Sequence, residues 1–333
     1  MFNKILIAIL LLSSFQASAN RERNLKQQKL NTCLLEQIKS SAENTQISAL
    51  LELCEQLVSA DKDDGALTER LNAERKNKFN PYTITPHRMN YILPVSYISS
   101  YNEAAYQASQ LVDPKQDLEA KFQISFKVPL NAESLFTQGD ALYFGMTLKS
   151  WWQVYGNEIS KPFRETNYQP EVFYYLPVKW QIWHTETSLA FGLEHQSNGR
   201  EAHLSRSWNR AYMSILVEDA DWLINLRPWW RLPESDKKSE DDPNGDDNPD
   251  ISKYMGYFEL TGAYRVDHKI QGQFMLRQNL ATGKGALELG FTYPIWGRLR
   301  GYMQFFTGYG ESLIDYNHSQ QRFGLGIALT DRL

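Results

Sequence analysis

With 333 residues, a formal charge of −4 and 13% aromatic side chains, the chain is long enough for one large domain or two ordinary ones. Its mild acidity excludes a nucleic-acid binder that works by charge. Beyond the amino terminus no stretch is apolar for long enough to form a transmembrane helix.

The first residues, MFNKILIAILLLSSFQASAN, carry a basic Lys4, an apolar run from Ile5 to Leu12 and the small residues Ala17, Ser18 and Ala19. That order is expected of a secretory signal peptide over 1–19, cleaved after Ala19. From Asn20 to about Asn80 the chain turns polar and helix-prone. Leu34, Leu35 and Ile38, then Ile47, Leu50, Leu51, Cys54, Leu57 and Val58 fall at helical spacing. Two short helices joined near Ser41–Glu43 are expected, forming a helical extension over 20–80. The only cysteines, Cys33 and Cys54, fall one on each helix. In an oxidising compartment they are expected to pair, since such a hairpin has little core of its own.

From about Asn90 the apolar period switches to two. Phe122, Ile124, Phe126 and Val128 alternate with polar residues, as do Leu142, Phe144, Met146 and Leu148, and later Leu287, Leu289, Phe291 and Tyr293. Alternation alone fits a sandwich as well as a membrane barrel. Export and aromatic strand ends favour the barrel. Segments near 90–97, 119–130, 140–153, 169–178, 181–197, 206–218, 221–232, 254–266, 269–279, 284–294, 299–310 and 321–332 have the length of membrane-crossing strands. The expected fold is therefore all-β: a 12-stranded antiparallel transmembrane β-barrel over 81–333, with the short helical N-terminal extension in the periplasm. An even number of strands returns both barrel ends to the periplasm. Inward Glu259, Arg277 and Glu288 point to a polar, packed lumen rather than an open channel, and such charges need partners.

Between Glu234 and Asp250, ESDKKSEDDPNGDDNPD reads as a solvated external loop. An EF-hand is excluded, because its glycine is misplaced and the closing Glu is missing. No His or Cys pair has zinc spacing, and no glycine loop is built to cradle phosphate.

One constellation carries chemistry. Acyl transfer needs a hydroxyl, a base within reach and a third group that holds the base in the right tautomer. Ser197 and His195 are two apart, so on a strand they share a face, the face of Leu189, Phe191 and Leu193. Asn209 shares a face with Met213, Ile215 and Val217 on the next strand. All three are thus expected on the lipid side, near the loop 199–205. Polar groups there are costly and so are functional candidates, although rim residues near lipid headgroups have the same pattern. His203 is an alternative base in the loop. No G-x-S-x-G elbow surrounds Ser197, which argues against an α/β-hydrolase. A neutral Asn in third place avoids desolvating a carboxylate beside lipid, but supports an imidazolium less, so a cation at the oxyanion would be a useful supplement.

The stretch HQSNGREAHLSRSWNR, with KSWWQ (149–153), PFRETNYQPE (162–171), DDNPDISKYMGY (246–257), GYGESLIDYN (308–317) and NPYTITPHRMNYI before the first strand, resembles the outer membrane phospholipase A family. The likeness covers about Asn80 to Leu333 and leaves the extension out. It implies a calcium-dependent hydrolase of phospholipid and lysophospholipid acyl esters in the outer membrane of a Gram-negative bacterium, dormant as a monomer and active as a homodimer. Its motifs imply Ser197 as nucleophile, His195 as base, Asn209 as orienting residue and Gly199 as the oxyanion-hole amide. They imply Ca2+ held by the Arg200 carbonyl and the Ser205 hydroxyl, with the Ser160 carbonyl from a second copy. A second calcium site would use Asp247, yet Ala202 stands where its other acid is expected; Glu201 is the nearest substitute. Leu148 replaces a glutamine that the family buries between subunits, which shifts weight to packing around Trp152. A catalytically inactive structural barrel or small pore is the competing reading, and a barrel protease a third, disfavoured because the set faces outward and lacks paired carboxylates.

Overall fold

A computed structural model describes residues 30–38, 50–51, 54, 85–107, 116–156, 162–182, 185–200, 202–239, 242, 245–266, 270–297 and 299–330. The chain divides into two compact units, Met1–Asp63 and Asp64–Leu333. In the first, residues 30–38 are helical, as are Leu50, Leu51 and Cys54, and Cys33 is disulfide-bonded to Cys54 as expected. The expected signal segment 1–19 lies outside the described residues.

The second unit is a closed barrel of twelve long antiparallel strands. A two-residue strand, β1 (Thr85–Pro86), adds to β3 at one edge. The long strands are β2 (Asn90–Ile98), β3 (Leu118–Pro129), β4 (Ala141–Trp152), β5 (Phe163–Ile182), β6 (Thr185–Ser197), β7 (Ser207–Glu218), β8 (Trp222–Arg231), β9 (Phe258–Val266), β10 (Ile270–Gln278), β11 (Gly285–Trp296), β12 (Leu299–Tyr309) and β13 (Ser319–Thr330). Each pairs with its sequence neighbours, and β13 pairs with β2 to shut the cylinder. Closure leaves no long edge unpaired, which hydrocarbon demands of any sheet that crosses it. The connections 99–117, 153–162, 198–206 and 232–257 lie at one end of the barrel. The barrel's own first and last strands begin and finish at the other.

Alternation sorts the side chains as the sequence predicts. On β3, Glu119, Lys121, Gln123, Ser125 and Lys127 are buried inside, while Ile124 and Val128 are exposed on the outer wall. Three strand starts differ from expectation: β6 begins at Thr185 rather than near 181, because β5 runs on to Ile182, and the other two differ for reasons local to each. β5 begins at Phe163 rather than near 169: Trp151 pairs with Glu165 but Trp152 with Phe163, so Arg164 is the extra residue of a bulge, and its side chain is buried. β9 begins at Phe258 rather than near 254, because Ile251–Met255 forms a short helix that ends at Gly256, φ +71°, where a Cβ would meet the Gln278 carbonyl at 2.9 Å.

The lumen is filled by ion pairs. Arg164 grips Glu119 through Nε at 3.0 Å and reaches Asp315 at 3.0 Å, while Arg322 lies 2.8 Å from Glu119 and 3.1 Å from Glu311. Lys121 completes that group at 2.6 Å from Glu311. A second group joins Glu171 and Glu194 to Arg88, Arg210 and Arg227, with His87 2.8 Å from Glu171. Of the residues expected inside, Arg277 donates to the Gly310 carbonyl at 2.9 Å, and Glu259 and Glu288 line an inner cavity. Among the described residues, inner cavities of about 90 and 190 Å³ lie between these groups and have room for ordered water.

Removing one member of a buried ion group leaves its partners charged and uncompensated. Arg164→Met should therefore destabilise the barrel by about 3–5 kcal/mol, measured by denaturant unfolding in detergent micelles followed by tryptophan fluorescence. A loss below roughly 1 kcal/mol would show that Glu119 and Asp315 do not depend on it.

Candidate functional site

β6 and β7 pair without interruption from Glu186↔Glu218 to Ser197↔Ser207. No bulge inverts the alternation, so the outward face of Phe191 and Leu193, both exposed, continues to His195 and Ser197. Asn209 lies directly across from His195. Its Oδ1 is 2.8 Å from His195 Nδ1. An amide oxygen can only accept, so Nδ1 carries a proton, and in the neutral ring this leaves the lone pair on Nε2, the tautomer a general base needs. Ser197 stands between Tyr168 of β5 and Ser207 of β7 in the register. The three expected residues are thus brought together on the outer wall, at the end that bears the long loops.

The inner face of the same two strands is locked. Glu194 and Arg210 pair with one another, the Arg210 guanidinium lies 3.9 Å over the Trp208 ring, and Trp208 Nε1 donates to Gln196 Oε1 at 2.9 Å. These residues alternate with His195, Ser197 and Asn209, so inner packing fixes the backbone from which the trio projects.

The loop after Ser197 is closed by Asn198, which is buried. Its backbone N–H donates to the Arg206 carbonyl at 3.0 Å, its Oδ1 accepts from Arg206 N at 2.9 Å, and its Nδ2 donates to the Leu204 carbonyl at 2.8 Å. Gly199 follows at φ +62°, a left-handed turn with the Tyr168 ring alongside. Arg200 ties the loop to the start of β5 by donating to the Arg164 carbonyl at 2.7 Å. His203, the alternative base, is exposed in the turn Ala202–Leu204, outside the paired strands that carry the trio. Ser160 and Glu201 lie outside the described residues.

The acidic stretch is less free than its composition implies. Asp247 Oδ2 accepts from Ser205 Oγ at 2.7 Å, and Asp247 Oδ1 is 2.5 Å from Lys237 Nζ. Arg231 pairs with Asp246 at 2.5 Å, Asn248 Oδ1 accepts from Ser207 N at 3.1 Å, and Tyr316 donates to Asp250 at 2.6 Å. Residues 246–250 are therefore pinned to the loop after Ser197 and to the barrel rim. Leu232 N donates to the Asn209 carbonyl at 2.8 Å and brings Glu234 to the Asn209 side chain. Burial pushes the Glu234 carboxyl above its usual range and Asp246 adds to the push, while Arg231 and a hydrogen bond with Asn209 oppose it. Asn198, Asn248 and Lys237 were not singled out by the sequence. Only the Asn-Gly pair at 198–199 carried a turn signal that could have marked one of them.

Among the described residues no group of three or more His, Cys, Asp or Glu is placed to share an ion. The chemistry of the donors fits a hard ion: Ser205 gives its proton to Asp247, which leaves its oxygen lone pairs for a cation, and backbone carbonyls of the tight loop are the other donors available.

Residues 67–329 match the family model of phospholipase A1. That match starts somewhat before the stretch whose motifs carried the resemblance. The chain is 38% identical over 257 residues to phospholipase A1 of Klebsiella pneumoniae, covering 76% of this chain and 84% of that one. It has the same identity to phospholipase A1 of Escherichia coli strain K12, covering 76% and 83%. Among solved structures it is similar to outer membrane phospholipase A from Escherichia coli, with a TM-score of 0.71 at 36% identity over 78% of this chain and 97% of that one. A Salmonella typhi outer membrane phospholipase, solved as a dimer with bound calcium, matches with the same TM-score at 35% identity and the same coverage.

Asn198→Ala would remove the side-chain bonds to Leu204 and Arg206. It should cost about 1–3 kcal/mol locally, seen as faster amide exchange over 199–206 with exchange in β6 and β7 unchanged. Unaltered loop exchange would show that Asn198 does not hold the loop.

Proposed function

The chain belongs to the phospholipase A1 family, a phospholipase with an outer-membrane barrel, and from that premise we propose that Ser197, His195 and Asn209 hydrolyse phospholipid and lysophospholipid acyl esters at the lipid-facing wall. The observation that carries this reading is the 2.8 Å bond between His195 Nδ1 and Asn209 Oδ1 on the outward side of paired strands. A substrate reaching that wall comes from the membrane itself. An apolar groove of about 440 Å³ lies on the same wall, lined by Leu142, Val172, Tyr174, Leu193, Met213 and Trp230. Leu193 is two residues from His195 and on its face, so an acyl chain in the groove would present its ester to Ser197.

In the proposed reaction Ser197 Oγ attacks the acyl carbonyl as its proton passes to His195 Nε2. Asn209 Oδ1, which accepts from Nδ1, holds the imidazolium that forms. His195 then returns the proton to the departing alkoxide, and water activated by the same nitrogen releases the fatty acid from Ser197. The Gly199 amide is assigned to the oxyanion. Calcium, when bound, would supply positive charge there, held by the Arg200 carbonyl, Ser205 Oγ and Ser160 of a second copy. The amino-terminal extension would lie in the periplasm.

The dimer is proposed to form on the outer face of β3 to β5, where Ile124, Leu148 and Tyr168 lie side by side in the register. Trp152 stacks on Phe163 nearby, ring centres 5.5 Å apart. Monomers would be dormant, lacking the partner's contribution at the rim. The competing pore reading gains nothing from a lumen packed with ion pairs.

Ser197→Ala should abolish phospholipid hydrolysis in calcium-containing micelles, and Asn209→Ala should lower kcat by roughly 10- to 100-fold with KM little changed. Undiminished turnover in Ser197→Ala would reject the nucleophile. Leu148→Gln should strengthen dimerisation by about 1 kcal/mol, roughly fivefold, by adding a hydrogen bond across the lipid-buried contact. Sedimentation equilibrium in micelles reads this directly, and unchanged association would place the contact elsewhere.

A further inference from the structure

Lys237 stands where a metal would otherwise be wanted. Its Nζ lies 2.5 Å from Asp247 Oδ1, while Asp247 Oδ2 accepts from Ser205 Oγ at 2.7 Å and faces Ser207 Oγ at 3.4 Å. One carboxylate and two hydroxyls on adjoining segments form an oxygen donor set of the kind hard cations favour. Here a side-chain ammonium sits against its charged member. The arrangement is built into the backbone. Asp246 N donates to the Ser235 carbonyl at 2.8 Å, which draws 235–237 against 245–247. Gly245, φ +108°, makes that approach possible, since a Cβ there would meet Ser235 O at 2.9 Å and Lys237 N at 3.0 Å. The neighbouring acid, Asp246, is already taken by Arg231 at 2.5 Å. Both acids at the centre of this strap are therefore neutralised from within the chain. Lys237 is only 19% and Asp247 8% exposed at the side chain, so their attraction is screened less than that of a surface pair.

We propose that Lys237 is a tethered cation for Asp247: it holds the Ser205 and Ser207 hydroxyls in place without a metal and keeps a divalent ion off that carboxylate. The loop beside Ser197 then keeps its shape when no metal is present, and any calcium bound at the rim uses oxygens other than those of Asp247. A divalent ion entering beside Asp247 would have to displace the ammonium or sit against it, and like charges at that range repel strongly. The inference rests on the proposed calcium-assisted site only for its significance. Its test reads binding and chemical protection, so failure of turnover would leave it untouched.

The test uses the full-length protein in detergent micelles. Acylation of lysine amines, mapped by mass spectrometry, should find Lys237 protected equally with calcium at saturating concentration and with chelator. A calcium-induced rise in Lys237 labelling would mean the ion displaces it and would overturn the proposal. Lys237→Glu exchanges the tethered cation for a second carboxylate. It should raise the number of calcium ions bound per chain by one in equilibrium dialysis, and an unchanged number would count against the proposal. Lys237→Met, in chelator, should speed amide exchange over 203–207 by about tenfold relative to the unaltered chain. Equal exchange in the two would show that Lys237 does not order the hydroxyls.

Discussion

A sheet in hydrocarbon has nowhere to leave a backbone N–H or C=O unpaired, and the rest of this molecule follows from that constraint. Pairing of β13 with β2 removes the edges, and a closed ladder with a side-chain period of two assigns each residue to lumen or lipid. His195, Ser197 and Asn209 face outward because the β6–β7 register runs unbroken to Ser197↔Ser207. A slip of one residue would bury the trio among the arginines. The same constraint explains Arg164: one extra residue opposite Trp151 and Trp152 lets a charge reach the lumen from a strand whose simple alternation would not put it there.

Inside, lone charges would be ruinous, so they come in groups. Glu171 and Glu194 share Arg88 and Arg227, and Glu119 shares Arg164 and Arg322. Such groups gain little net stability over an apolar core, but losing one member leaves the others charged and uncompensated. Glu194 and Arg210 alternate in sequence with His195, Ser197 and Asn209 and lie on the opposite face in space. The packed lumen thereby acts as the rigid support for the side chains that project outward from the same strands.

At the rim the physics changes from hydrocarbon to the polar boundary, and neutral hydrogen-bonding groups take over. Asn209 serves as a neutral partner for His195 where a carboxylate would be desolvated. Glu234 lies one step back, behind Asn209, where burial raises its carboxyl above the usual range. Asn198 closes the loop with its own amide, and Asn248 anchors Ser207. Charge at this rim is handled by pairing within the chain, Arg231 with Asp246 and Lys237 with Asp247.

Alternation was enough to read twelve strands and to place Ile124, Leu148, His195, Ser197 and Asn209 on one wall, because a period of two is a local property of the chain. The pairing of Cys33 with Cys54 was legible in the same way, from export and the want of a core. Where both faces of a segment are polar, as in Arg164–Asn167, alternation loses its contrast and the strand start was missed. The acidic stretch looked like solvent-exposed loop because composition reports the average charge and not its partners. What the sequence determined by itself was which residues lie on which face. Only the tertiary structure decided which of them meet, that His195 bonds Asn209, that Asn198 shuts the loop and that Lys237 occupies Asp247, since those contacts join segments whose separation along the chain carries no periodic signal.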